Sequence, residues 1–305
     1  LAGAAGATGT YDGQTITVSG GGATTVTLTT AANGHEVAPQ PLVVTGLSAA
    51  DKDYDGGTDA EVVGSPVYQG LVNNESFAVV GTVSWAFPDK NAGAGKELVR
   101  TGSIAAPSTN YIIPSQPSLT AEIRPKELAV TGAGVTTKTY DGSTDATITG
   151  ATLVGVIDGD TVSVSGSGTF NNANAGENKP VTANLILGGT DAANYTLIQP
   201  SLTGTITKAD QVITFDELPA KFANDDPFSL SATSDSGLPV SYTSSNESVA
   251  TISGSTVTLL AAGTTTITAS QEGDTNYNAA DSVTRTLTVN PAQTLVAGWD
   301  FQTTT

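Results

Sequence analysis

The 305 residues carry 29 acids against 11 lysines and arginines, a formal net charge of −18, with one histidine and no cysteine. A field of that sign repels phosphates and anionic headgroups, which argues against nucleic acid partners. The lack of cysteine excludes disulfides, thiolate metal sites and Cys nucleophiles, while His35 alone leaves almost no material for a His-based triad or a His-rich metal site.

Charged residues make up only 13% of the chain, against a usual ~25%, which suits sheet surfaces clothed in Thr, Ser, Asn and Gly. No apolar run approaches the ~18 residues of a membrane span. The sequence starts at Leu1 without a Met or a signal peptide, which reads as a processed chain or a piece of a longer one.

Residues 1–40 open on Gly and Ala. Gln14 to Val18 and Thr24 to Thr29 then alternate around Gly20-Gly21-Gly22 and predict a hairpin, with Asn33-Gly34 signalling a second antiparallel return. Thr10-Tyr11-Asp12-Gly13 resembles a motif met again below. The stretch is read as a β-hairpin appendage or the end of a preceding domain. In residues 41–124, strands are expected at Leu42 to Val44, Phe77 to Val80, Val83 to Phe87 and Leu119 to Ile123. In residues 125–208 they are expected at Leu128 to Thr131, Thr147 to Leu153, Val162 to Val164, Val181 to Leu187 and Leu202 to Thr207. In residues 209–290 they are expected at Val212 to Phe215, Val240 to Tyr242, Val257 to Leu260, Thr265 to Ala269 and Val283 to Val289. Short strands at this spacing, with no helix-period segment, predict all-β sandwiches. Residues 291–305 read as a lone strand, either the start of a following domain or an assembly strand that buries Trp299 and Phe301 against a neighbour.

The modules are internal repeats. Lys52-Asp53-Tyr54-Asp55-Gly56 and Lys138-Thr139-Tyr140-Asp141-Gly142 are each followed by Thr-Asp-Ala, then Asn-Ala-Gly (Asn91 to Gly93; Asn174 to Gly176), then Asn-Tyr (Asn110-Tyr111; Asn194-Tyr195), at a period of about 84 residues. Asn276-Tyr277 and Phe222 continue the period into a third, divergent module. The modules meet through linkers of three to five residues, one holding Pro125, so a semi-rigid rod is expected. The first two modules resemble the bacterial YDG repeats of large secreted and surface proteins. The third resembles bacterial Ig-like domains through Ser236 to Tyr242, Ser248 to Ile252 and Ala262-Gly263-Thr264. The resemblance implies tandem immunoglobulin-like stalk modules on an extracellular bacterial protein, and no substrate.

Tyr-Asp-Gly has a local reason: Asp bonds its own backbone across a turn, Gly accepts positive φ, and Tyr buries its ring with the hydroxyl wet. Lys52, Tyr54, Asp55, Gly56, Lys138, Tyr140, Asp141, Gly142, Asn110, Tyr111, Asn194 and Tyr195 are therefore read as a structural motif, with a sugar platform on Tyr54 and Tyr140 as the alternative. Asp51, Asp53, Asp55 and Asp59 alternate as at the start of a Ca²⁺ loop, but Val62 stands at the twelfth position and module two lacks most of the acids. Calcium is the one cofactor they suggest, against solvated turn acids. Lys52 and Lys138 with Asn110 and Asn194 supply the ingredients of an isopeptide crosslink, against a Lys with its ammonium in water. Gly93 to Lys96 lacks the Ser/Thr of a phosphate loop, and Asp158 with Asp160, or Asp225 with Asp226, are acids flanking turns with no cleft placed beside them.

The reading is a non-catalytic extracellular or cell-surface stalk, adhesin segment or matrix component. Its alternatives are a subunit of a filament assembled head to tail by strand pairing, and carbohydrate-binding modules of a larger secreted enzyme. The expected partners are other copies or neighbouring domains, with glycans next, and neither nucleic acid nor a membrane span.

Overall fold

Alternating apolar residues broken by Gly, Asn, Asp and Pro leave only short extended runs. In the computed structural model the described residues form strands throughout, with one 3-10 turn at Ala192–Asn194. The structure describes residues 36–294 and three earlier strands, Gly9–Thr10, Thr15–Val18 and Val26–Thr29. The chain is all-β, a tandem of immunoglobulin-like sandwiches. The expected hairpin is formed, with Thr15 opposite Thr29 and Val18 opposite Val26, and Gly9–Thr10 pairs antiparallel with Glu36–Val37. Trp299 and Phe301 lie outside the described residues.

All three modules share one wiring. The strand that enters the Tyr-Asp-Gly position runs parallel to its module's last strand, placing Lys52 opposite Ile123 and Lys138 opposite Ile206; Lys221 stands likewise opposite Val289. A second parallel pairing ties each module's opening residues to its Asn-Tyr: Gln40 opposite Tyr111, Lys126 opposite Tyr195, and Ala209 opposite Tyr277. By this register Phe222, opposite Asn290, stands where Asp53 and Thr139 stand, and Ala223, whose amide bonds the Asn290 carbonyl, takes the place of Tyr54 and Tyr140, one residue later than the period expects.

Some boundaries differ from expectation. The run expected at 77–80 is not a strand of its own; the strand is Val80–Ala86, preceded by a turn with Asn73 and Asn74 at φ 52° and 57°. Val62–Gln69 and Val99–Ala105 are additional strands, whose alternation is masked in sequence by Gly64, Pro66 and Gly102. The run at 147–153 divides at Gly150, where φ is +71° and a Cβ would stand 2.6 Å from the Gly132 carbonyl oxygen. Between Thr120–Arg124 and Lys126–Thr131 only Pro125 remains, shorter than the linker expected.

The chain divides into two compact units, and the division falls within the second module instead of at Pro125. The first unit holds residues 1–129, 153–164 and 186–198; the second holds 130–152, 165–185 and 199–305. In the first, one cluster gathers Leu42, Val44, Tyr68, Ile104 and Tyr111. Another gathers Tyr54, Phe87, Leu98, Ala121 and Ile123 of module one with Leu128 and Tyr195 of module two. Ile123 and Leu128, on either side of Pro125, are both fully buried, and a side chain of that size contributes ~1.5–3 kcal/mol when taken from water. In the second unit, Ala146, Phe170, Val181 and Ile206 form one core. The third module closes a four-stranded and a three-stranded sheet over another, with Val257, Ile267 and Leu287 at its centre.

Candidate functional site at the module joints

Each Tyr-Asp-Gly turn is fixed by its own lysine. Asp55 accepts the Gly57 amide at 2.8 Å across Gly56, whose φ is 80°, and Lys52 Nζ lies 2.7 Å from the same carboxylate and 3.1 Å from the Gly57 carbonyl. In module two, Asp141 accepts the Ser143 amide at 2.8 Å across Gly142, at φ 78°, with Lys138 Nζ at 2.7 Å. The Lys138 ammonium, then the Ser143 amide, hold the Asp141 carboxyl at about 2.

The turn aims its tyrosine at the next module. Tyr54, 1% exposed, meets Tyr195 edge to face, with centroids 5.3 Å apart and rings at 77°. Both hydroxyls donate to Asp160 Oδ2, at 2.7 and 2.6 Å, and Lys90 Nζ donates to Oδ1 at 2.6 Å. The Ile157 amide donates to the Tyr195 hydroxyl at 2.9 Å. The Asp160 side chain is 2% exposed, yet Lys90 first, and then the Tyr195 hydroxyl, hold its carboxyl at about 2. Burial and the same carboxylate push Tyr195 up to about 12, and raise Tyr54 as well.

Beside the rings, the buried Asn194 accepts the Ala92 amide at 2.9 Å, capping the Asn-Ala-Gly loop of the preceding module. That loop is held by Asp89, which accepts the Asn91 amide at 2.8 Å and Lys96 Nζ at 2.6 Å.

The second joint repeats the pattern within the second unit. Tyr140 and Tyr277 lie 5.4 Å apart at 77°, and Asn276 accepts the Ala175 amide at 2.9 Å. Asn172 holds the loop in Asp89's place, accepting the Asn174 amide at 3.1 Å and Lys179 Nζ at 2.6 Å. Here no carboxylate among the described residues bonds either hydroxyl, and Tyr140 is half-buried. The sequence markers Tyr-Asp-Gly, Asn-Ala-Gly and Asn-Tyr thus converge, the first two from one module and the third from the next. Lys90 and Asp160, which join them at the first joint, carry no sequence signal beyond their place near the repeated markers.

The remaining sequence candidates have the following partners. Of the candidate calcium acids, Asp53 lies in the strand Lys52–Asp53, Asp51 precedes it and Asp55 follows it, where alternation spaces them along an edge. Asp51 accepts the Glu122 amide, Asp53 pairs with Arg124 at 2.8 Å, Asp55 pairs with Lys52, and Asp59 belongs to a bridge with Ala86. Among the described residues no three acidic or histidine side chains could hold a metal. The Tyr54 hydroxyl is not wet, and its buried ring offers no platform to a sugar. Lys52 and Lys138 spend their ammonium groups on their own turns and Asn194 spends its oxygen on Ala92, so the isopeptide ingredients are engaged elsewhere. Tyr111 is buried with its hydroxyl on Glu75, and the Asn110 carbonyl accepts the Gln40 amide. Gly93–Glu97 is a strand with Lys96 turned onto the Asn-Ala-Gly loop, and Asp225 closes a turn on the Phe222 amide.

Fold and joints together define a tandem β-sandwich protein whose repeat signature lies where modules meet. The chain belongs to the YDG domain family: the family model matches residues 38–119 and 124–204, more than half of its length. A comparison with curated proteins returns no match. Among solved structures, Drosophila N-cadherin EC1-4 is 9% identical, with 90% of this chain and 82% of that chain covered and a TM-score of 0.33. Mouse cadherin-23 EC22-24 is 10% identical, with 83% and 100% covered and a TM-score of 0.31. The I9-I11 tandem of titin is 12% identical, with 82% and 100% covered and a TM-score of 0.24. At such scores the fold rests on the chain's own sheets and pairings. No helix among the described residues is long and apolar enough to cross a membrane, which leaves strands that cross as a barrel unaddressed.

Proposed function

We propose that this chain is a non-catalytic structural and adhesive segment of an extracellular bacterial surface protein, whose working parts are its joints. One observation carries the reading: the same ring pair and the same Asn-to-amide cap recur at both joints. A repeat that only specified a fold would have no need to place its markers on the contact with the next module. The resemblance to YDG surface repeats supports the placement outside the cell.

The test is to stretch the full chain end to end, one molecule at a time, as wild type and as Asn194→Ala. The variant should yield the first joint at lower force while leaving the third module's unfolding event unchanged. Identical force traces would remove the joint as the working part. The purified chain should also turn over no member of a polysaccharide panel; turnover abolished by changing one acid would overturn the non-catalytic reading.

A further inference from the structure

The two joints share rings and caps but differ in charge, and the difference is matched on both sides. The donor loop of the first joint reads Asp89-Lys90-Asn91-Ala92-Gly93, and that of the second reads Asn172-Ala173-Asn174-Ala175-Gly176. Where the loop supplies Lys90, the receiving face supplies Asp160 at 2.6 Å. Where it supplies Ala173, no carboxylate among the described residues bonds the Tyr277 hydroxyl, and the neighbouring Asp274 is taken up by the Asn276 and Tyr277 backbone amides. The acid is an attribute of the YDG receiving face: in module one the Tyr111 hydroxyl donates to Glu75 while the Val72 amide donates to that hydroxyl at 3.4 Å, the arrangement of Tyr195, Asp160 and Ile157.

Building on the joint reading above, we propose that Lys90 and Asp160 determine which module can follow which: a receiving face with an acid beside its Asn-Tyr ring accepts a donor loop that brings a cation immediately before Asn-Ala-Gly. Tyrosine hydroxyls alone leave a carboxylate with a 2%-exposed side chain carrying its whole charge into a boundary that must close. A donor loop like that of module two brings no counter-charge and is selected against at such a face. It suits the third module, where no carboxylate among the described residues bonds the Tyr277 hydroxyl and Asp274 is engaged by backbone amides. The selection works by a penalty on the wrong neighbour as much as by attraction to the right one.

The test is a double-mutant cycle in the full chain, read by amide hydrogen exchange at Ala92 and Ile157 for the first joint and at Ala175 for the second. Lys90→Ala should speed opening at Ala92 and Ile157 about tenfold, and the same change made in an Asp160→Asn background should alter it less than about twofold. Ala173→Lys should leave Ala175 unchanged, since no carboxylate stands on the Tyr277 hydroxyl and Asp274 is already taken up by the Asn276 and Tyr277 amides. A lysine that serves only by laying its stem on Tyr54, or by pairing with Asp191 at 3.7 Å, would act equally in both backgrounds, and that result overturns the proposal. So does an effect of Ala173→Lys as large as that of Lys90→Ala. Tyr54→Ala is the control for the reading beneath: if it leaves Ile157 unmoved, the joint itself is refuted, whereas a response there with no Lys90–Asp160 coupling refutes only the selection.

Discussion

Asp160→Asn isolates the charge at the first joint, because asparagine keeps the shape and removes the ionisation. The carboxyl sits at about 2 in the folded chain against an ordinary 3.8, a difference worth about 2–3 kcal/mol, or on the order of thirty- to a hundredfold in an equilibrium constant. A protonated aspartate and an asparagine are alike in lacking the charge that Lys90, Tyr195 and Tyr54 serve, so the substitution should cost the same ~2–3 kcal/mol. The sign follows from the depressed value: the contribution is present above the unfolded value of 3.8 and is lost as pH falls through about 2. Exchange of the Ala92 and Ile157 amides, corrected for intrinsic rates, reads the opening of this joint, with Ala175 as the internal reference. Wild type at neutral pH should be protected about thirty- to a hundredfold more than the variant, and the gap should close between pH 4 and 2. A variant within about twofold of wild type at pH 7, or one that loses protection in acid just as wild type does, would refute the argument.

Four further outcomes follow from the same geometry. Protection at Ile157 should also fall as pH rises from 10 towards 12, since Tyr195 is held protonated up to about 12 and its ionisation would face Asp160; a flat alkaline limb in fluorescence-monitored unfolding would contradict this. Tyr54→Ala should cost ~3 kcal/mol or more in denaturant titration and Tyr140→Ala less, because Tyr54 is 1% exposed and Tyr140 half-buried; equal losses would deny the difference in burial. Asn276→Ala should cost about 1 kcal/mol and release the Ala175 amide to exchange without touching Ala92. Calcium at millimolar concentration should leave the melting temperature unchanged, and intact mass should show no loss of ammonia; a shift in either would restore the metal or crosslink reading.

The repeat, its period and the all-β class were legible in the residues. Alternation, turn chemistry and self-similarity are local properties, and a period of 84 residues carries them through the chain. Phe222 and Asn276-Tyr277 announced a third module without a Tyr-Asp-Gly, and the parallel pairings of Lys221 and Ala209 form it, with Ala223 instead of Phe222 at the tyrosine's place. Boundaries were less legible wherever glycine or proline interrupted alternation, as at Gly64, Pro66 and Gly102. The role of the markers was not legible at all. Tyr54 and Tyr195 belong to different repeats and lie far apart in sequence, so nothing in one period announces that the ring of one module ends on the hydroxyl network of the next. Asp160 read as an ordinary turn acid, and Asp51, Asp53, Asp55 and Asp59 as calcium candidates or solvated turn acids, because spacing along the chain does not say whether neighbouring carboxylates converge. Tertiary structure decided both: strand pairing turned the three acids along one edge towards Arg124 and Lys52, and closure of the joint enclosed Asp160 with two hydroxyls and one ammonium.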